Sequence, residues 1–201
     1  MIAIIDYDAG NIASVIIALD YLGEKWVLTR DKQEILNADK AILPGVGSFK
    51  DALDNIRKYE LEDVIKTFIA SKKPFLGICL GLQLLFDESE ESPGVKGLSV
   101  LPGVCKKIPA SKDIKVPHVG WNSISLQKDS KLFKGIPDNS YVYFVHSYYL
   151  EAANKEDVAA CTDYGVTIHS AIEHDNVFAC QFHPEKSSDV GLTIIKNFTS
   201  L

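Results

Sequence analysis

Long apolar runs are missing from this 201-residue chain. No window reaches the roughly 18 apolar residues of a membrane-spanning helix. Basic clusters are missing too. Lys and Arg number 21 against 27 Asp and Glu, a formal charge of −6, and no run of Lys or Arg forms the stripe expected of a nucleic-acid binder. The N-terminus, MIAIIDYDAGN, has no basic stretch ahead of its apolar residues, so it reads as a strand and not as a secretory leader. Without such a leader, the Asn197-Phe198-Thr199 sequon reads as chance.

Cysteine is sparse as well. Cys79, Cys105, Cys161 and Cys180 contain no CxxC pair, which argues against a disulfide framework and for reduced thiols in the cytoplasm. Neither G-x-x-x-x-G-K-[ST] nor G-x-G-x-x-G occurs, so no nucleotide or cofactor motif is read. There is no repeat, no low-complexity stretch and no linker rich in Gly, Ser or Pro. Residues 1–201 therefore read as one domain.

What is present is a globular composition, 46% hydrophobic and 24% charged. A chain of this size buries roughly 70% of its unfolded surface, enough for a core without staples. The first half alternates strand and helix patterns. Strands are expected at Met1–Tyr7, Trp26–Thr29, Lys40–Leu43 and Phe75–Ile78. Helices are expected at Ile12–Leu22, Phe49–Lys58, Leu61–Ser71 and Leu80–Phe86. Short strands apolar at every position point to a mainly parallel sheet with helices on both faces.

The second half changes character. Candidate strands crowd together at Val104–Ile108, Asn122–Ser125, Tyr141–His146, Val158–Thr162, Ser170–His174 and Val177–Phe182. Turn signals between them predict antiparallel pairing, with a last helix from Gly191 to Leu201. The fold class is thus α/β, with a mainly parallel central sheet and antiparallel strands in the C-terminal half.

Chemistry concentrates at Gly77-Ile78-Cys79-Leu80-Gly81, a G-x-C-x-G pattern between a buried strand and a helix. It is the cysteine counterpart of the nucleophile elbow. A sharp turn there lifts the middle residue above the sheet and crowds its neighbours, which demands small residues two before and two after. The free N–H groups of the following helix favour a thiolate at Cys79, and the Leu80 N–H is set to donate to an oxyanion. Taken alone, Cys79 is about as well explained as a small buried core residue. Cys105, Cys161 and Cys180 lie in or near predicted strands, where core packing accounts for them.

A cysteine nucleophile needs a base, and the base needs an orienting group. Of the five histidines, only His183 has a carboxylate suitably near, in Gln181-Phe182-His183-Pro184-Glu185. In extended chain, residues i and i+2 project to one side, so Glu185 can hold the ring while its other nitrogen faces a thiol. Alone, this would read as a surface turn. With the elbow, it predicts that both strand ends reach one edge of one sheet, where ligands of open α/β sheets bind. Pro44-Gly45-Val46-Gly47-Ser48, after another short strand, offers backbone N–H groups for a second oxyanion donor. The acidic run Asp87–Glu91 reads by default as a solvated helix end.

Together these residues resemble the class I (triad) glutamine amidotransferases. CLGLQLLFDESEESPGVKG from Cys79, VPHVGWN from Val116, YFVHSY from Tyr143 and QFHPEKSS from Gln181 narrow the likeness to the glutaminase subunits of imidazole glycerol phosphate synthases. The resemblance runs from the N-terminal loop to Ser188. It implies hydrolysis of glutamine to glutamate and ammonia through a glutamyl thioester on Cys79, with His183 as acid–base and Glu185 orienting it. It implies an oxyanion hole at Val46 and Leu80, and a substrate site at Gly45, Gly47, Gln83, Glu91, Ser147 and Tyr148. It further implies delivery of ammonia, without any cofactor, to a separate (β/α)8-barrel cyclase in a heterodimer, with histidine biosynthesis as the setting. Cyclase ligands would switch the glutaminase on by reorienting the Gly45–Val46 peptide. Asn11, Trp121, Asn122 and Lys186 match positions near that interface. Rival readings are the glutaminase of another synthase (pyridoxal phosphate or anthranilate), a partner-independent cysteine hydrolase, and a non-catalytic module on the same fold.

Overall fold

The computed structural model describes residues 1–8, 10 and 12–201. In chain order the elements are β1 (Ile2–Ile5), α1 (Ala13–Tyr21), β2 (Trp26–Thr29), α2 (Lys32–Asn37), β3 (Lys40–Leu43), α3 (Phe49–Lys58), α4 (Glu62–Ala70), β4 (Phe75–Ile78) and α5 (Leu80–Leu84). There follow β5 (Glu88–Ser89), β6 (Gly103–Lys107), β7 (His118–Leu126), β8 (Ser140–His146), β9 (Tyr148–Ala152), β10 (Val158–Asp163), β11 (Thr167–His174), β12 (Val177–Cys180) and α6 (Ser188–Thr199).

Nine strands form one mixed sheet in the order β2-β1-β3-β4-β12-β11-β10-β7-β8. From β2 to β12 the neighbours are parallel; from β12 to β8 they are antiparallel. The inner strands β1 and β4 are apolar and buried at every position because both faces are covered; β3 departs only at Lys40, and the edge strand β2 is half-exposed. Ala3, Ile5, Ala41, Leu43 and Phe75 pack on one side with α2 to α5; Ile2, Ile4, Ile42, Leu76 and Ile78 pack on the other with α1 and α6. Each fully buried Leu, Ile or Phe contributes roughly 1.5–3 kcal/mol. β5, β6 and β9 form a second, three-stranded sheet.

β12 is the pivot of the fold. It is last in sequence among the strands yet inserts beside β4, in parallel register Val177↔Phe75 to Cys180↔Ile78. That pairing carries residues about a hundred positions apart to one sheet edge.

Several expectations need correction. The short helix α2 carries a clear start signal, Asp31 accepting from the N–H groups of Gln33 and Glu34, each at 2.9 Å, but was not expected. β9 was missed because YYLEA follows so closely on β8; the chain leaves the large sheet there and pairs with β6. The acidic run does not end a helix. Glu88–Ser89 is a strand, and its flanking carboxylates accept backbone N–H groups: Asp87 from Gly103 (3.0 Å) and Glu90 from Lys107 (2.7 Å). α6 begins at Ser188, before Gly191, because Gly191 serves close packing and not helix initiation. A Cβ there would stand 1.9 Å from the Pro184 carbonyl oxygen. Among the described residues no helix is long and apolar enough to cross a membrane.

Candidate active site

The elbow has the geometry its glycines require. Cys79 adopts φ 54° and ψ −107°, a left-handed conformation that a non-glycine residue holds only under strain. A Cβ on Gly81 would lie 1.9 Å from the Leu43 carbonyl oxygen, and one on Gly77 would lie 2.8 Å from that of Gly81. The backbone therefore closes on itself only with glycine at both positions. The Cys79 N–H donates to the Cys180 carbonyl (2.8 Å), extending the β4–β12 pairing one residue into the turn.

Three residues beyond β12, His183 arrives at the same edge. Its Nδ1 lies 2.7 Å from Glu185 Oε1, and the two side chains are 3% and 2% exposed. Because a carboxylate only accepts, Nδ1 carries the hydrogen and Nε2 is left for the thiol. Nε2 is buried and without any other partner. Burial opposes a charge on this ring, but the Cys79 and Glu185 side chains outweigh it and push the imidazole up to about 10. Ser187 locks the turn in place. Its hydroxyl donates to the His183 carbonyl (2.7 Å) and accepts the Tyr143 N–H (2.9 Å).

Above the cysteine lies a pocket of about 270 Å³. Its walls include Val46, Gly47, Leu80, Gln83, Glu91, Ser147, Tyr148 and His183, all expected from the sequence. A cysteine and an imidazole–carboxylate pair open on such a pocket can attack a carbonyl carbon and protonate a leaving nitrogen.

The sequence matches the family glutamine amidotransferase class-I over residues 3–200. This chain is a class-I glutamine amidotransferase. It is 48% identical over 198 residues to the imidazole glycerol phosphate synthase subunit HisH of Bacillus thuringiensis (strain Al Hakam), covering 98% of this chain and 93% of that one. It is 50% identical to the protein of the same name from Caldanaerobacter subterraneus subsp. tengcongensis, covering 98% and 97%. Among solved structures, a glutamine amidotransferase superposes with TM-score 0.73 at 19% identity over 98% of both chains. PurLQS from Thermotoga maritima superposes with TM-score 0.72 at 18% identity, covering 99% of this chain and 97% of that one. These two likenesses bear on the fold.

The amidotransferase holds one expected oxyanion donor shut. The Leu80 N–H, expected to serve an oxyanion, donates instead to the carbonyl oxygen of Gly45 at 3.3 Å. Gly45 is confined there, since a Cβ would lie 2.6 Å from Tyr7 Oη and 2.9 Å from Leu80 Cβ. Tyr7, buried at the end of β1, donates its hydroxyl to the Pro44 carbonyl (2.6 Å).

Two expected substrate residues are partly engaged by the protein. Glu91 accepts the Phe49 N–H at the start of α3 (2.7 Å). Gln83 donates to the Tyr148 carbonyl and to Gln181 Oε1, both at 3.0 Å, which leaves its own carbonyl oxygen uncommitted. The Tyr148 carbonyl also faces His146 Nδ1 at 2.9 Å.

That last contact ends a chain of histidines. His146 Nδ1 must donate to the carbonyl, so its Nε2 accepts from His118 Nδ1 at 3.0 Å; Asn122 lies 3.4 Å from His118 Nε2. Both rings are buried, and burial pushes each down to about 4. Asn122 also donates to the Asp163 carbonyl at 3.0 Å, so it faces inward as well as toward the surface. Trp121 stands 51% exposed against Tyr143, ring centroids 6.2 Å apart, and Lys186 is exposed. Asn11 lies outside the described residues. Cys105 and Cys180 are buried in the core and Cys161 is half-buried; all three are free, as is Cys79.

The sequence reading missed Gln181, Tyr7, Pro117, Val145 and His146. Gln181 lies within the quoted stretch QFHPEKSS, one residue beyond β12, and it is the pairing of β12 with β4 that sets it beside Cys79. Pro117, Val145 and His146 lie within the quoted stretches VPHVGWN and YFVHSY without having been singled out, and Tyr7 is marked by no local pattern.

Proposed function

We propose that this amidotransferase is the glutaminase half of an imidazole glycerol phosphate synthase. Cys79 attacks the side-chain amide of glutamine, and its proton passes to His183 Nε2. The ring, steadied by Glu185, hands that proton to the departing ammonia, and water then cleaves the glutamyl thioester. Gly45, Gly47, Gln83, Glu91 and the 147–148 backbone bind the amino-acid end of the substrate. The ammonia goes to a (β/α)8-barrel cyclase bound over Asn11, Trp121, Asn122 and Lys186.

The observation that carries the reading is the buried Cys79–His183–Glu185 set, with Cys79 and His183 lining one pocket and Glu185 behind the ring, in a chain about half identical to synthase subunits over nearly its whole length. The Leu80 N–H held by Gly45 supports a resting form. Rotation of the Gly45–Val46 peptide would release that donor and turn the Val46 N–H toward the oxyanion. Removing one such donor elsewhere costs about 10²–10³ in rate, so a shut hole suffices to keep the free subunit slow.

The test is glutamine hydrolysis with and without a histidine-biosynthetic cyclase and its ribonucleotide substrate. Hydrolysis is expected to rise at least a hundredfold in the ternary mixture and to vanish in Cys79→Ala. Ammonium salt is expected to restore cyclase product in that variant. Equal hydrolysis with and without the cyclase, or hydrolysis retained in a clean Cys79→Ala preparation, overturns the reading.

A further inference from the structure

Gln181 is wholly buried at the end of β12, and nothing in the mechanism above uses it. A fully buried carboxamide is stable only if its donors and acceptor are matched, so its partners fix its orientation. The chain of contacts starts at a group that can only accept, the Tyr148 carbonyl. Gln83 presents Nε2 to it at 3.0 Å, and the same Nε2 lies 3.0 Å from Gln181 Oε1. Were Gln181 turned over, two donors would face each other. Its own Nε2 must therefore point the other way, and there it meets Cys79 Sγ at 3.7 Å.

We infer that Gln181 is a catalytic residue that donates a hydrogen bond to the Cys79 sulfur, favouring the thiolate and aiming it at the substrate carbonyl, with Gln83 as the positioning residue that keeps the amide turned the right way. The neutral amide can do this without becoming a proton donor itself, so it does not compete with His183. Besides His183, the sulfur also meets the Val145 carbonyl at 3.9 Å, which accepts from a thiol and offers nothing to an anion. Gln181 thus separates the two protonation states of the sulfur: it supports the charged one, while Val145 supports the neutral one. The ionisable groups around Cys79 are His183, Tyr7 at the end of β1, Cys180 on β12, His146 on β8, Glu91 across the pocket and Glu185 behind His183. Gln181→Met leaves all of these groups in place and adds no charge, whereas Gln181→Glu also sets a carboxylate beside the sulfur.

This inference rests on Cys79 being the nucleophile. The experiment is iodoacetamide labelling of the full chain across a pH series, read peptide by peptide by mass spectrometry, for the unsubstituted protein, Gln181→Met and Gln181→Glu. Met matches the side-chain length without a donor; Glu keeps an oxygen for Gln83 and removes the donor to sulfur. The buried Cys105 and Cys180 report folding in the same samples, because they stay unlabelled only while the core is closed.

With the core closed, the pH of half-maximal Cys79 labelling is expected to move up by about one unit and labelling near neutrality to slow about tenfold, more so in Gln181→Glu. Glutamine kcat falls in step while KM changes less. An unchanged Cys79 profile in either folded variant overturns the inference. So does loss of Cys105 and Cys180 protection in both, since Gln181 would then be structural. Hydrolysis surviving in Cys79→Ala fails the nucleophile assignment instead, which separates the two ideas.

Discussion

The two halves of the large sheet solve different problems with different strands. In the parallel half, four-residue inner strands apolar on both faces give a platform whose loops are forced into shape by close packing, as at Gly45, Gly77 and Gly81. In the antiparallel half, longer strands with one wetter face carry the polar parts: the His118–His146 chain, the 145–148 pocket wall and the exposed Trp121–Tyr143 pair. β12 belongs to both, parallel to β4 and antiparallel to β11. The site sits at that seam. The platform supplies the strained Cys79, proposed as nucleophile, and the seam strand leads into His183 and Glu185, proposed to handle its proton.

The sharpest way to test this division is Glu185→Gln at the seam. Glutamine hydrolysis by the activated enzyme is expected to fall by about 10³–10⁴, as for other orienting carboxylates. The fold should hold, because the amide of Gln keeps the size of the side chain and an oxygen that can still accept from His183 Nδ1. A melting temperature many degrees lower would show that the pair is structural.

Next in size is Gly81→Ala in the platform. Its Cβ would overlap the Leu43 carbonyl oxygen at 1.9 Å, so the β3 and β4 ends must separate, at a cost of about 3 kcal/mol. Gly120→Ala in β7 meets nothing within 4 Å and carries only the strain of φ 134°, about 1–2 kcal/mol. Urea unfolding of both variants decides it; equal losses would erase the contrast between a close-packed platform and a looser antiparallel half.

Acid should act on the antiparallel half. His118 and His146 bind protons less readily in the fold, near pH 4, than unfolded, near 6.5. The unfolded state therefore takes up more protons between those values. Stability is complete above about pH 6.5 and is lost as the pH falls toward 4, by up to roughly 3 kcal/mol for each ring taken alone. His183 runs the other way: raised to about 10, it stabilises below 6.5 and loses that contribution as the pH climbs toward 10. Melting curves at about pH 7 and pH 4.5 for the unsubstituted chain and His146→Gln are expected to show a smaller acid loss in the variant. Equal losses would place the acid sensitivity elsewhere.

The smallest effect on the free chain is expected from Trp121→Ala. Half-exposed at the far edge of the sheet, Trp121 should shift stability by no more than about 1 kcal/mol while weakening cyclase binding about tenfold or more. Calorimetric titration with the cyclase checks this; unchanged affinity would move the interface off the β7–β8 face.

Local pattern in the sequence went a long way in the platform. Trp26–Thr29, Lys40–Leu43, Phe49–Lys58 and Phe75–Ile78 coincide with the observed elements. The strands show as short apolar runs and the helix as one apolar stripe, Phe49, Ala52, Leu53 and Ile56, and both signals are local properties of the chain. It went less far in the antiparallel half, where β9 was missed and β7 runs four residues earlier than expected, from His118. There the pattern depends on which strands meet.

Excluded volume and turn geometry within a few residues settle the elbow and its glycines, and Glu185 reaches His183 through an equally local feature, the tight turn over Pro184–Lys186 and not the extended alternation expected. These the amino-acid sequence determined by itself. Only the tertiary structure decided that β12 lies against β4, that the Gly45 carbonyl closes on the Leu80 N–H, and that Gln181 turns its amide toward Cys79. Each joins residues 35 to 102 positions apart, where contact is fixed by strand order and by the need to satisfy every buried donor, and no short stretch of chain encodes either.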